Sequence, residues 1–284
     1  MENFSSLRKS VLVVCTVIVV LIILGLALML FWGSKGQGYK VYLSASYDEL
    51  PDDLYSDLLV IDAQYYSQDE IKALHRNNNK IYSYINVGSI ETFRLYYERF
   101  SSCQLSPYEN WDDEYWVDVT IDDWQAFIVD ELAVELLNKG VDGLFVDNLD
   151  VYFEYTNEET FNVLENIMER LKGYNTDILI NGGDSFVLEY LRRFSTLTPI
   201  LDGVNQECVF TNINWEDSTF ITQVEETTNY FQDYLAKVSD DKKEVYVIEY
   251  CDDTSFAKIV KDKCRASGYK VYLADSVDLD YNGH

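Results

Sequence analysis

Histidine is almost missing from this sequence. Of 284 residues only His75 and His284 carry an imidazole, which disfavours a zinc centre. Positive charge is also scarce. Twenty-two Lys and Arg face 49 Asp and Glu, a formal net charge of −27, so nucleic acid is excluded as a partner because phosphate binding needs the opposite sign. Proline occurs three times, and no Pro/Gly/Ser-rich linker or internal repeat divides the chain after its first 38 residues, so one domain is expected there. Of five cysteines, Cys15 stands apart near the N-terminus. Cys103, Cys208, Cys251 and Cys264 fit no metal spacing, and they allow three disulfide pairings that the sequence does not choose between. Serine elbows and phosphate loops are absent too. No metal or cofactor is expected.

One stretch lacks charge altogether. Val11 to Trp32 is almost wholly aliphatic or aromatic, and at about 1.5 Å per residue it makes about 33 Å of helix, enough to cross a bilayer core. Arg8 and Lys9 precede it, which favours a cytoplasmic N-terminus and an exported remainder. A cleaved signal peptide would have a shorter apolar region and a small-residue site after it. The expected organisation is a cytoplasmic N-terminus (1–10), an uncleaved transmembrane signal anchor (11–32), a flexible tether (33–38) and an extracytoplasmic domain (39–284) at the cell membrane.

Beyond the tether, short β-branched or aromatic runs alternate with helical patterns. Strands are predicted at Lys40–Ser44, Leu58–Asp62, Lys80–Val87, Asp142–Asp147, Asp177–Asn181, Leu201–Asn205, Glu244–Tyr250 and Tyr269–Ala274. Helices are predicted at Gln68–Asn77, Trp124–Lys139, Glu158–Lys172, Ser185–Phe194, Thr227–Val238 and Thr254–Ser267. Gly140, Gly173 and Gly268 follow three of these helices, as left-handed caps require. Repeated strand-then-helix order implies parallel strands with right-handed crossovers. Eight strands make an α/β fold of the (β/α)8 TIM-barrel type, preceded by the transmembrane helix. Residues 88–123 form a long connection that this scheme leaves unassigned.

The apolar runs share an odd ending: each stops at a carboxylate or an amide. They finish in Asp62, in Tyr84 and Asn86, in Asp147 with Asn148 and Asp150, in Asn181 and Asp184, in Gln206 and Glu207, and in Glu249. In barrels of this type the carboxyl ends of the strands carry the site. Alternate residues of a strand point inward, so Gly143, Phe145 and Asp147 in one phase put Asp147 at the mouth. A single such ending is a helix cap; five or six together converge on one rim. Glu91 and Arg94, three residues apart, are expected to brace it as an ion pair.

Clustered carboxylates without histidine suit acetal hydrolysis, which needs one protonated and one ionised carboxyl group. Like-charge proximity separates their pKa values. Fifteen per cent aromatic content, with 23 Tyr, supplies flat faces for sugar rings, although Trp111, Trp116 and Trp124 are expected mainly to pack the long connection. The acidic surplus fits a neutral or cationic amino-sugar polymer. A calcium site at Asp147, Asn148 and Asp150 is disfavoured by spacing.

The blocks "KIYSYINVGSIETFRLYY", "WDDEYWVDVTIDDW", "GVDGLFVDNLDVY", "DGVNQECVF" and "VYVIEYC" resemble glycoside hydrolase family 114, the endo-α-1,4-polygalactosaminidase-like barrels, across Lys40 to Ala274. The resemblance implies a (β/α)8 fold and hydrolysis of galactosamine-containing exopolysaccharide. It implies catalytic roles for Asp147 and Glu207, with Gln206 as the competing register for the second. Substrate contacts are expected from Asp62, Tyr84, Asn86, Glu91, Arg94, Asn148, Asp150, Asn181, Asp184, Gln206 and Glu249. Ser89 departs from the acidic residue that relatives often carry after Val-Gly. The expected function is a retaining glycosidase; the competing reading is a catalytically idle carbohydrate-binding protein on the same scaffold.

Overall fold

The computed structural model describes residues 38–281. Eight strands lie in one parallel sheet: β1 (Tyr39–Tyr42), β2 (Ser56–Ile61), β3 (Asn78–Asn86), β4 (Gly143–Asp147), β5 (Asp177–Asn181), β6 (Gly203–Glu207), β7 (Glu244–Tyr250) and β8 (Lys270–Ala274). They are hydrogen-bonded in chain order. β1 and β8 meet through side chains, with the Tyr272 ring edge-on to Tyr39 and Tyr42 at 6.5 and 5.7 Å. The result is a nearly closed α/β barrel.

Period-two alternation sorts the barrel into two apolar layers. Tyr39, Val41, Leu58, Val60, Tyr82, Tyr84, Phe145, Leu179, Ile248 and Tyr250 fill the lumen. The intervening residues, among them Leu59, Ile61, Ile81, Leu144, Val146, Ile180, Val204 and Val247, pack outward against the helices. These helices are α1 (Gln68–Leu74), α2 (122–138, with a π turn over Phe127–Leu132), α3 (Glu158–Lys172), α4 (Asp184–Phe194), α5 (Glu225–Asp240) and α6 (Thr254–Ser267). Ser67 caps α1 in a reciprocal capping box with Glu70, Asn157 caps α3 and Asp253 caps α6.

Of the three glycine stops, Gly140 (φ 98) and Gly268 (φ 76) are left-handed, but Gly173 is helical and the reversal comes two residues later at Asn175 (φ 57). β6 lies two residues further on than expected, because Leu201 packs with the turn before the strand. The unassigned connection contains a three-stranded antiparallel sheet of Ser89–Glu91, Glu114–Val117 and Gln104–Pro107. A second hairpin, Thr211–Asn214 with Thr219–Thr222, rises after β6. Sequence periodicity missed both because each strand is only three or four residues long. Cys103, Cys208, Cys251 and Cys264 are free thiols. No helix among the described residues is long and apolar enough to cross a membrane; the predicted span lies outside them.

Gly88, just past β3, fixes how two strand ends meet. A Cβ there would stand 1.8 Å from the Asn148 carbonyl oxygen, so only glycine lets the exits of β3 and β4 touch backbone to backbone. Gly88→Ala is expected to lower stability by about 3 kcal/mol, the upper range for overpacking. Thermal melts beside activity assays check this; an unperturbed variant would show that the two exits move apart freely.

Candidate active site

Asp147 ends β4 and Glu207 ends β6, both in the inward phase, and Asn181 ends β5 between them. One amide joins the three. Asn181 Nδ2 donates to Asp147 Oδ1 and to Glu207 Oε1, each at 2.9 Å. Its own Oδ1 accepts from Asn205 Nδ2 at 2.6 Å, and Asn205 Oδ1 accepts from the Tyr39 hydroxyl at 3.0 Å. A chain of oriented dipoles thus runs up the lumen and fixes the amide with both hydrogens towards the carboxylates. The Tyr250 hydroxyl lies 2.6 Å from Glu207 Oε2.

Both carboxylates are followed by a left-handed residue, Asn148 (φ 62) and Cys208 (φ 57). The turn at Asn148 brings its N–H back to Asp147 Oδ1 at 3.0 Å. Asn tolerates this conformation and Cys seldom adopts it, so the second turn is held by its surroundings. Burial pushes Asp147 well above the usual carboxylate range, the charge on Glu207 adds to this, and the bond from Asn181 opposes it. Two negative charges in this space are costly.

A second group adjoins the first. Glu114 Oε1 accepts from Asn86 Nδ2 at 3.1 Å, from Asn148 Nδ2 at 3.0 Å and from the Ser89 hydroxyl. The Tyr108 hydroxyl donates to Asn148 Oδ1 at 3.1 Å. Glu114 therefore presents its carboxylate at the hydroxyl of Ser89, the position where an acidic side chain was expected. Beside this group, Arg94 binds Asp62 at 2.5 Å and Glu91 at 2.6 Å in the interior. Its guanidinium also lies over the ring of Tyr84 at 5.4 Å.

The remaining candidates stand apart. Asp150 accepts the Gly183 N–H at 2.9 Å and braces the left-handed Gly182–Gly183 turn into α4. Asp184 accepts the Tyr230 hydroxyl. Gln206 shares the outward phase of β6, its amide on the Glu207 carbonyl at 3.1 Å, so only Glu207 of the two faces the lumen. Glu249 is likewise in phase with Val245 and Val247, not with Tyr250. It is buried behind the barrel wall, accepting the N–H groups of Phe210 and Thr211 and the Thr211 hydroxyl.

Glu114, Asn205 and Tyr250 were not foreseen. Counting by two from Glu207 and from Ile248 reaches Asn205 and Tyr250, so strand phase held the signal for those. Glu114 had none, because its short strand was not recognised.

Burial raises Glu114, Asp150 and Glu249 each to about 7, with the charge of Glu91 adding to the first. For an acid whose folded pKa is raised, the folded state binds more protons between the unfolded and folded values. Stability is then greatest below the unfolded value and falls as pH rises through the folded one. The melting temperature is accordingly expected to decline from about pH 4.5 to about pH 7, with a shallower decline in Glu249→Gln. A melting temperature rising over that range would contradict the assignment.

At the opposite mouth a cavity of about 460 Å³ is lined by Lys80, Tyr82, Asp177, Glu244, Tyr246 and Lys270. Two ion pairs, Lys80 with Asp177 and Lys270 with Glu244, stand in its wall beside Asp57 and Asp202, at the stability face of such a barrel.

The sequence profile of glycoside-hydrolase family GH114 matches residues 29–283. The chain belongs to that family. The resemblance drawn from the motif blocks is thereby borne out. An uncharacterised protein of Methanocaldococcus jannaschii, MJ1477, is 26% identical over 235 residues, covering 74% of this chain and 65% of its own length. The chain thus spans about two thirds of that relative.

Among solved structures, the glycoside hydrolase domain of PelA from Pseudomonas aeruginosa matches with a TM-score of 0.72 at 17% identity, over 87% of this chain and 98% of that one. Aspergillus fumigatus Ega3, solved with galactosamine, gives 0.66 at 17% identity over 86% and 93%. An α-galactosidase of Thermus thermophilus gives 0.56 at 11% identity over 87% and 59%. These likenesses describe the fold.

Proposed function

We propose that this hydrolase cleaves α-1,4-linked galactosamine-containing exopolysaccharide with retention of configuration, Asp147 acting as nucleophile and Glu207 as acid/base. The observation that carries the reading is the single Asn181 amide nitrogen shared by both carboxylates. Its two hydrogens diverge by about 120°, which sets the bonded oxygens about 5 Å apart. Retaining pairs stand about 5–5.5 Å apart and inverting pairs about 6.5–9.5 Å.

Asp147 Oδ1 takes both of its hydrogen bonds, leaving Oδ2 to attack C1 as the carboxylate, so the proton that burial favours on Asp147 passes to Glu207 before the attack. As the C1–O bond breaks, its electron pair leaves with the departing oxygen, which takes the proton from Glu207. Water, deprotonated by Glu207, then displaces Asp147 from the same face that the leaving group occupied. The substrate assignment is supported by the sign of the mouth: Asp147 and Glu207 end their strands in the inward phase, while the nearby cation Arg94 is already held by Asp62 and Glu91, which suits a sugar bearing an ammonium group. Ega3, a neighbour in fold, was solved with such a sugar.

We place the domain outside the cell, held by the apolar segment Val11–Trp32. Its retention in the membrane fraction after alkaline carbonate washing tests this; release into the supernatant refutes it. For the chemistry, the full-length chain is incubated with partly de-N-acetylated α-1,4-galactosaminoglycan. Oligosaccharides whose new reducing end is initially α support the proposal. Initially β products refute retention, and retention of polymer without cleavage identifies an idle binder.

A further inference from the structure

The tetrapeptides Asn110-Trp111-Asp112-Asp113 and Asn214-Trp215-Glu216-Asp217 repeat one pattern: an amide, an indole and two acids. They lie 104 positions apart on two unrelated hairpins, yet the fold brings their tips together. Trp111 occupies the turn between Gln104–Pro107 and Glu114–Val117, closed by Tyr108 N–H to the Glu114 carbonyl at 2.9 Å. Trp215 opens the turn between Thr211–Asn214 and Thr219–Thr222. The two indoles stand edge to face, ring centres 6.1 Å apart. One hairpin rises after β3 and the other after β6, so their meeting spans the ends of β4 and β5, where Asp147 and Asn181 sit.

Each hairpin is also moored to one catalytic carboxylate. Tyr108 on the first donates to Asn148, the residue after Asp147. Phe220 on the second packs on the Tyr250 ring at 5.7 Å, and Tyr250 bonds Glu207. A tryptophan that merely packs is buried here, as Trp124 and Trp116 are. Trp215 keeps 42% of its surface in solvent, and Asp112, Asp113, Glu216 and Asp217 beside the indoles are all exposed.

We propose that Trp111 and Trp215 form an outer subsite for a de-N-acetylated, cationic unit of the polymer, separate from the subsites flanking the scissile bond. The C–H face of the sugar lies on an indole, and its ammonium group is drawn by the neighbouring carboxylates. Polymer is thereby gripped at a distance from the cleavage point, which favours internal cuts in long chains. The substrate class rests on the function proposed above, whereas the grip can be read without hydrolysis.

The test uses the full-length chain carrying Asp147→Asn, run by electrophoresis through gels containing galactosaminoglycan that is either partly de-N-acetylated or fully N-acetylated. Trp111→Ala with Trp215→Ala is expected to weaken retardation about tenfold or more in apparent Kd. Asp112→Asn, Asp113→Asn, Glu216→Gln and Asp217→Asn together are expected to erase the preference for the de-N-acetylated gel. With Asp147 intact, Trp215→Ala alone should lower kcat/KM for polymer several-fold more than kcat/KM for a short aryl α-galactosaminide. Unchanged retardation in the double variant, or no retardation of any form, overturns the subsite. If the parent chain is retarded, the double variant is not, and the chain with Asp147 intact releases no product, the hydrolytic proposal fails and the subsite stands.

Discussion

Asp147→Ala is expected to lose on the order of 10⁴-fold in kcat on an activated aryl α-galactosaminide and to recover turnover in azide, yielding the β-glycosyl azide. The alanine leaves a hole where Oδ2 stood, and a small anion entering it attacks C1 from the face opposite the leaving group. One displacement replaces two, so the configuration inverts. Glu207→Ala should behave differently. It retains the nucleophile, so activated substrates still form the covalent intermediate, while polymer with its poor leaving group loses about 10²–10⁴-fold.

Azide then attacks that intermediate from the other face and gives the α product. The anomer of the azide therefore reports which carboxylate is which, by product NMR. The reverse pattern would exchange the two roles. Recovery in neither variant, with initially inverted polymer products, would dismiss the covalent route. Asn181 tests the arrangement beneath both: Asn181→Ala removes the donor that each carboxylate shares and should lower kcat more than it alters KM.

The barrel was legible from the sequence because eight strand-and-helix units keep their periods: β5, β7, α3 and α6 fall where the pattern puts them. Asp147, Glu207 and Asn181 were legible for the same reason, as polar residues closing apolar runs in the inward phase. What misled was taking any terminal carboxylate as rim-facing. Glu249 ends a strand as conspicuously as Glu207 does, but alternation turns it behind the wall, where backbone amides occupy it. Asp150 closes a turn in the same manner. The hairpins that roof the mouth were invisible because strands of three or four residues are too short to show a period. Their pairing comes instead from contacts distant in sequence, such as Ser89 with Trp116.

Arg94 is where the local pattern inverts most sharply. Its side chain is 4% exposed, while its neighbours Phe93 and Leu95 are 55% and 101% exposed, the reverse of the ordinary partition. A chain turns inside out like this only where another requirement outweighs burial, and such sites are functional more often than not. Burial works against the guanidinium's charge, but bonds to Glu91 and Asp62 outweigh it and hold Arg94 above its ordinary value. Burial also raises Asp62, with Arg94 opposing.

Arg94→Met should therefore cost about 3–5 kcal/mol, because it strands buried carboxylates without their cation. In a domain of this size that lowers Tm by about 10 °C. The sign of its pH dependence is fixed. Without Arg94 the pKa of Asp62 rises further, so the variant is least impaired below the unfolded carboxylate value, and its deficit widens as pH climbs towards neutrality. Adding Asp62→Asn and Glu91→Gln should restore most of the stability, since a neutral buried cluster leaves no charge unpaired. Activity should stay low, because the turn that carries Ser89 against Glu114 and Asn148 has lost its anchor. A melting temperature for Arg94→Met within about 2 °C of the parent at neutral pH would mean that this ion pair does not hold the rim.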